Sequence, residues 1–183
     1  MSRYRRDSIP GASWFFTVVT FDRRPVLCDK PVRLARHDAI ELTRATRPFS
    51  IDAWVLLPDH LHCILTLPDG DADFSTRWNL IKRRTSGALK ENYFTPETMT
   101  ASKRSRRELT FWQRRYWEHR IRDDHDFEKH ADYIHFNPVK HGYAKTPQEW
   151  EYSSIHRYQR NGIYPPDWGS GGGMIFEAGF GGE

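Results

Sequence analysis

Cysteine is scarce in this chain of 183 residues: Cys28 and Cys63 are the whole complement, far apart and outside any CxxC spacing. That excludes a disulfide framework and a thiolate zinc site. Long apolar runs are missing too. Nothing approaches the roughly 18 residues a membrane span requires. The basic start, Met1-Ser2-Arg3-Tyr4-Arg5-Arg6, leads into no signal-type apolar stretch. The expected setting is therefore cytoplasmic, with no membrane partner. Hydrophobic residues make up only 38% of the chain, but seven Trp, eight Tyr and eleven Phe supply a large buried area per residue. There is no internal repeat. The length suits one compact domain, residues 1–168, followed by a glycine-rich flexible tail, residues 169–183.

The formal charge is +4 and the pI about 9.1. This balance permits nucleic-acid binding, and its distribution says more. Lys82-Arg83-Arg84, Lys103-Arg104-Ser105-Arg106-Arg107 and Arg114-Arg115 are clustered, with aromatics nearby. Cations can meet phosphates while rings stack on unpaired bases. Such runs also occur as plain solvated faces, so charge alone does not decide.

Residues 13–21, Ser-Trp-Phe-Phe-Thr-Val-Val-Thr-Phe, are aromatic and β-branched and predict a strand. Residues 30–46 fit a helix opening on Pro31, with Leu34, Ala35, Ile40 and Leu42 as its apolar positions. Strands follow at 50–57 and 61–67, joined by the short connection Leu57-Pro58-Asp59-His60. A helix is expected over 75–94, with Trp78, Ile81, Ala88 and Leu89 inward, then a polar, basic loop over 95–110. Residues 111–121 suggest a fourth strand. Asp123-Asp124 offer N-cap chemistry for a helix of about fifteen residues, ending where Asn137-Pro138 and His141-Gly142 break the pattern. Residues 153–159 suggest a last short helix. The order is β-α-β-β-α-β plus extra helix: an α+β, ferredoxin-like split sandwich with a four-stranded antiparallel sheet. The sheet face opposite the two helices is expected to be an open platform for single-stranded nucleic acid.

Two segments carry chemistry. In Pro58-Asp59-His60-Leu61-His62-Cys63, strand alternation sends His60 and His62 to one face and Leu61 and Cys63 to the other. Imidazoles with β-carbons about 7 Å apart can converge on one borderline divalent ion. Two ligands leave coordination positions open for a phosphate oxygen. A His-x-His pair also arises by chance in a chain with nine histidines. The second segment is Asp132-Tyr133-Ile134-His135-Phe136-Asn137-Pro138-Val139-Lys140-His141-Gly142. Tyr133 and Asn137 stand four apart on one helical face. Tyr133 can be a covalent nucleophile or a packed core phenol, and Asn137 a third ligand or a helix stop. His130 can face the same groove, although an exposed position suits it better. Asp59 is a candidate support for the histidines.

At these segments the chain resembles the HUH-type single-tyrosine transposases, and within them the REP-associated tyrosine transposases of bacteria. The likeness rests on Trp54-Val55-Leu56-Leu57-Pro58-Asp59-His60-Leu61-His62, Phe74-Ser75-Thr76-Arg77-Trp78, Tyr116-Trp117-Glu118-His119 and residues 132–142, together with Tyr4-Arg5-Arg6 and Trp14-Phe15-Phe16-Thr17. These motifs stand in order over residues 1–168. The resemblance implies an enzyme that cleaves and rejoins single-stranded or hairpin DNA through a covalent 5′-phosphotyrosine. Tyr133, on the additional C-terminal helix, is then the nucleophile. His60, His62 and Asn137 become ligands of a divalent metal (Mg2+ or Mn2+), and many relatives carry glutamine at the position of Asn137. Arg5, Arg6, Arg83, Arg84, Arg114, Arg115 and Lys140 are candidate DNA contacts, chosen by charge and position. A non-catalytic binding module and a water-using, metal-dependent nuclease are the alternatives. The basic stretch 95–110 and the glycine-rich tail depart from the pattern. A monomer and a homodimer remain equally open.

Overall fold

A computed structural model of the chain describes residues 9–93, 110–171, 174–176 and 180–182. The strands are β1 (Ser13–Val19), β2 (Ser50–Leu56), β3 (His60–Thr66) and β4 (Trp117–Arg120), and the helices are α1 (Lys30–Arg44), α2 (Phe74–Ala88), the single turn α3 (Lys90–Tyr93), α4 (Asp124–Lys140) and α5 (Ile155–Arg160). All strand pairs are antiparallel, in the order β2-β3-β1-β4. The ferredoxin-like arrangement expected from the sequence is present, with α4 and α5 added after it.

Alternation along β1 and β3 splits the interior into two cores. Trp14, Phe16 and Val18 of β1 and Leu61, Cys63 and Leu65 of β3 join Val32 and Ala39 of α1 and Phe74, Trp78 and Ile81 of α2. Phe15 and Ile64 point the other way, where they meet Ala53 and Val55 of β2, Ala131, Tyr133 and Ile134 of α4 and Tyr158 of α5. This second face is therefore covered. The expected open platform is corrected: α4 lies across β2 and β3 and takes its place. The β2 edge is closed as well, because Leu56 N–H donates to Tyr152 O and Ser154 N–H to Trp54 O (both 2.9 Å).

Three local expectations need correction. Residues 111–116 form no strand, since Phe111 and Trp112 both turn into the first core, which a strand's alternation forbids. Trp112 makes only a single bridge, to Thr20. Along α1 the buried side chains are Val32, Ala39 and Thr43, while Leu34 and Leu42 are 55% and 59% exposed. Those two leucines fall on the outer stripe of the helix, where apolarity alone does not set orientation. Pro138 does not end α4, which runs on to Lys140. In the last turn a proline removes one intrahelical donor only. The end is instead sealed by Tyr143 N–H to Pro138 O (2.8 Å) and Gly142 N–H to Val139 O (3.0 Å), with Gly142 at φ +71°.

Candidate active site

Antiparallel register places Thr17 opposite His62 and Val19 opposite His60, and Val55 flanks His62 on the other side. Both histidines point to the face covered by α4, and both are almost wholly enclosed, at 1% and 0% exposure. Their rings lie 4.9 Å apart between centroids. The Tyr133 ring stands 5.2 Å from that of His62 and the His141 ring 5.2 Å from that of His60. The histidine strand and the tyrosine helix, separated by some seventy residues of chain, thus meet.

Hydrogen bonding fixes which ring nitrogen each histidine offers. Thr17 Oγ1 has one proton and donates it to Gly181 O. It therefore accepts from His62 Nδ1 (2.9 Å), which leaves the lone pair of His62 on Nε2. His60 Nδ1 faces Asp59 Oδ1 at 2.7 Å, and Asp59 Oδ2 accepts from Arg23 Nη1 at 2.9 Å. Burial alone would raise the Asp59 carboxyl, but the hydrogen bonds and charges of His60 and Arg23 outweigh it and hold it at about 2. An ionised Asp59 holds a proton of His60 on Nδ1, so Nε2 is the nitrogen left to face an ion. Carboxylate or hydroxyl support behind an imidazole is the usual outer shell of a metal-binding histidine. Arg23 reaches Asp59 from a turn in which Asp22 and Arg23 are left-handed, at φ 56° and 48°.

Asn137 lies one turn past Tyr133 on α4 and is fully buried. Neither its Oδ1 nor its Nδ2 has a hydrogen-bond partner among the described residues. A buried carboxamide left this way costs roughly 1–3 kcal/mol. Imidazole lone pairs and a carboxamide oxygen are ligand types that suit a borderline divalent ion such as manganese. Lys140 is exposed, yet its Nζ donates to Tyr133 Oη at 2.9 Å and sits 4.8 Å from the ring centroid. An ammonium in that place favours negative charge on the phenolic oxygen.

The other sequence-selected residues scatter. Arg5 and Arg6, and the basic loop at 95–109, lie outside the described residues. Arg83 and Arg84 belong to α2, on the opposite side of the sheet from Tyr133, and Arg84 Nη1 is tied to Thr43 Oγ1 (2.7 Å). Arg114 and Arg115 are exposed just before β4. His130 is buried, which corrects the exposed position expected for it. His135 is likewise interior. Burial keeps it neutral, down at about 3, and its Nε2 meets Ser154 Oγ at 2.7 Å.

Sequence reading missed Thr17, Arg23 and the role of Lys140. It also missed a cluster of His119, Asp126 and His130, whose ligand atoms lie within 4.8 Å of one another and could hold a metal ion. The polar groups there already serve each other. Asp126 Oδ2 accepts from Arg122 Nε (3.0 Å) and backbone N–H (3.1 Å) and lies 2.9 Å from His119 Nε2. His130 Nδ1 donates to Asp126 O at 2.7 Å. The cluster braces β4 against the start of α4. Burial would raise the Asp126 carboxyl, yet Arg122 and His119 together hold it well below the usual carboxylate range. A depressed folded-state value stabilises the fold above the unfolded carboxylate value, about 3.9, and that contribution is lost as pH falls below it. Asp126→Asn is therefore expected to cost about 2 kcal/mol at pH 7, lowering the melting midpoint by roughly 4–8 °C. The gap from the parent protein should close in acid. Equal midpoints at pH 7 would show that the brace carries no stability.

The last described residues cap the site. Phe176 and Phe180 each stand 5.1 Å from the Tyr133 ring, and a Cβ added to Gly181 (φ +83°) would overlap that ring and its hydroxyl. Gly182 sits as closely on Trp117. Only glycine lets the backbone approach this near.

Comparison with known proteins gives the family. Residues 12–137 match the family described as Transposase IS200 like, and the chain belongs to that family of DNA strand-transferring enzymes. More narrowly, it is similar to the REP-associated tyrosine transposase of Escherichia coli (strain K12), with 45% identity over 170 residues, 92% of this chain and 91% of that one. A relative from Haemophilus influenzae is 40% identical over 169 residues, 92% of this chain and 94% of its own. The solved structure of a REP-associated tyrosine transposase bound to a REP hairpin aligns with a TM-score of 0.77 at 40% identity, covering 97% of this chain and all of that one. No helix among the described residues is long and apolar enough to cross a membrane.

Proposed function

We propose that this protein cleaves and rejoins single-stranded DNA beside a REP-like hairpin, with Tyr133 as the nucleophile. The observation that carries the reading is the phenol of Tyr133 packed against His62 with Lys140 Nζ on its oxygen. In the reaction Tyr133 Oη forms a bond to phosphorus and the bond from phosphorus to the 3′-oxygen breaks. The phenol loses its proton, and the departing oxygen takes one up as a 3′-hydroxyl. The product is a 5′-phosphotyrosine link that keeps the phosphodiester energy, so attack by another 3′-hydroxyl rejoins the strand without a nucleotide cofactor.

His60, His62 and Asn137 are the residues that would hold a divalent ion. When bound, such an ion supplies positive charge beside the phosphate oxygens. Asp59 orients His60, Thr17 orients His62 and fixes its tautomer while residues 180–182 are seated, and Lys140 steadies the phenolate. Arg114 and Arg115, with Arg5 and Arg6, are candidate phosphate contacts by charge, while Arg83 and Arg84 would serve only DNA that wraps onto the α2 side.

The test is to incubate the protein with labelled hairpin DNA and manganese, resolve a covalent adduct on a denaturing gel, and map the nucleotide-bearing peptide. The expected adduct is on Tyr133. Cleavage without adduct would favour a water-using nuclease, and binding without cleavage a non-catalytic module. A nucleophile with no exposed surface must also be uncovered before it meets DNA. Gly181→Val is expected to expel residues 180–182 and raise the initial rate of adduct formation severalfold. An unchanged rate would show that this segment is not in the way of DNA.

A further inference from the structure

On the far side of the sheet from Tyr133, between the strands and helices α1 and α2, lies a cavity of about 180 Å³. Ile40, Phe49 and Leu65 line it, with the three indoles of Trp54, Trp78 and Trp112. Arg36 lines it too, its guanidinium 5.4 Å from the Trp54 ring centroid. Arg36 Nε and the Nε1 atoms of Trp78 and Trp112 are shut off from solvent, and none finds an acceptor among the described residues. Burial lowers the Arg36 guanidinium to about 10, and no carboxylate offsets it. The charged side chains beside it are engaged elsewhere, Glu41 with Arg44 Nη1 (3.3 Å) and Lys82 with Gln113 O (2.5 Å).

Three of the lining side chains therefore carry buried N–H groups that have no acceptor among the described residues. Orphaned donors are costly inside a protein. One carboxylate, with two oxygens and about four lone-pair sites, satisfies such a set. The apolar walls ask for a flat hydrocarbon body. A dry cavity of about 150 Å³ is known to accept one benzene ring. We propose that this cavity binds a small aromatic monocarboxylate of about benzoate size, its carboxylate on Arg36 and its ring among Trp54, Trp78 and Trp112. An unpaired nucleobase is flat and rich in acceptors as well, but it brings no charge for Arg36, so the anion fits better.

The full chain is titrated with benzoate, following tryptophan fluorescence, the indole N–H resonances and the melting midpoint. Benzamide and thymidine serve as neutral comparisons. The expected result is a saturable fluorescence change, shifted Trp78 and Trp112 indole resonances and a raised midpoint with benzoate, with benzamide about tenfold weaker or more. Arg36→Met should melt cooperatively and lose at least tenfold in benzoate affinity. Trp112→Phe, which keeps the wall and deletes one donor, should lose severalfold and supports the site even if the arginine variant folds poorly. Absence of saturation at millimolar benzoate, equal binding of benzamide, preference for thymidine, or full affinity in both variants would each overturn the proposal. Adduct formation at Tyr133 is a separate measurement and stands whichever way this one falls.

Discussion

Tyr133→Phe should remove adduct formation almost completely, by a factor on the order of 10³ or more, while the fold survives. Only one oxygen leaves. The ring keeps its contacts with Phe15 and His62 on the sheet side and with Phe176 and Phe180 above it. The hydrogen bond from Lys140 Nζ is lost, worth about 1 kcal/mol, or roughly 2–4 °C in melting midpoint for a chain of this length. Function and stability therefore separate. Hairpin binding measured without metal should stay within a few fold of the parent. If the variant still forms an adduct, the nucleophile lies elsewhere. If it cleaves at the parental rate without an adduct, water is the nucleophile and Tyr133 is part of the core.

Much of this site could be read along the chain because each half is a local periodicity. A spacing of two in β3 puts His60 and His62 on one face, and a spacing of four in α4 does the same for Tyr133 and Asn137. Neither spacing says that the two faces look at each other. That juxtaposition follows from α4 covering the sheet face that local patterns left open. Lys140 stands two helical turns beyond Tyr133, a signal present in the sequence but shared by every i, i+7 pair on a helix. Thr17 became visible only through strand register, which assigns it to His62. Arg23 was hidden by a turn whose left-handed backbone carries no glycine to announce it. The seating of Gly181 on Tyr133 depends on a close approach of backbone to ring, and glycine-rich composition alone reads as freedom rather than contact. Phe111 and Trp112 show the converse failure. Aromatic content suggested a strand, and adjacent burial of both side chains on one side prevented it.

The metal assignment makes a prediction that needs no turnover. At a manganese concentration of about 100 times the dissociation constant, binding to the folded state alone adds about 2.7 kcal/mol, a rise in melting midpoint of roughly 5–10 °C. In His60→Gln or His62→Gln the rise is expected to vanish over the same range, because each substitution removes an imidazole lone pair whose direction is fixed by Asp59 or Thr17. Asp59→Asn should fall between the two, since losing the support behind a liganding histidine typically weakens metal binding about 10–100-fold. Its curve should move to higher manganese without losing its height. Asn137→Ala relieves two buried, unpartnered polar atoms, so it should cost little in the absence of metal and reveal its loss only in the manganese-dependent rise. That pattern distinguishes this site from the second cluster. If His119→Gln or Asp126→Asn abolishes the rise while the His60 and His62 variants retain it, the ion belongs beside β4, and the catalytic arrangement proposed around Tyr133 loses its cation.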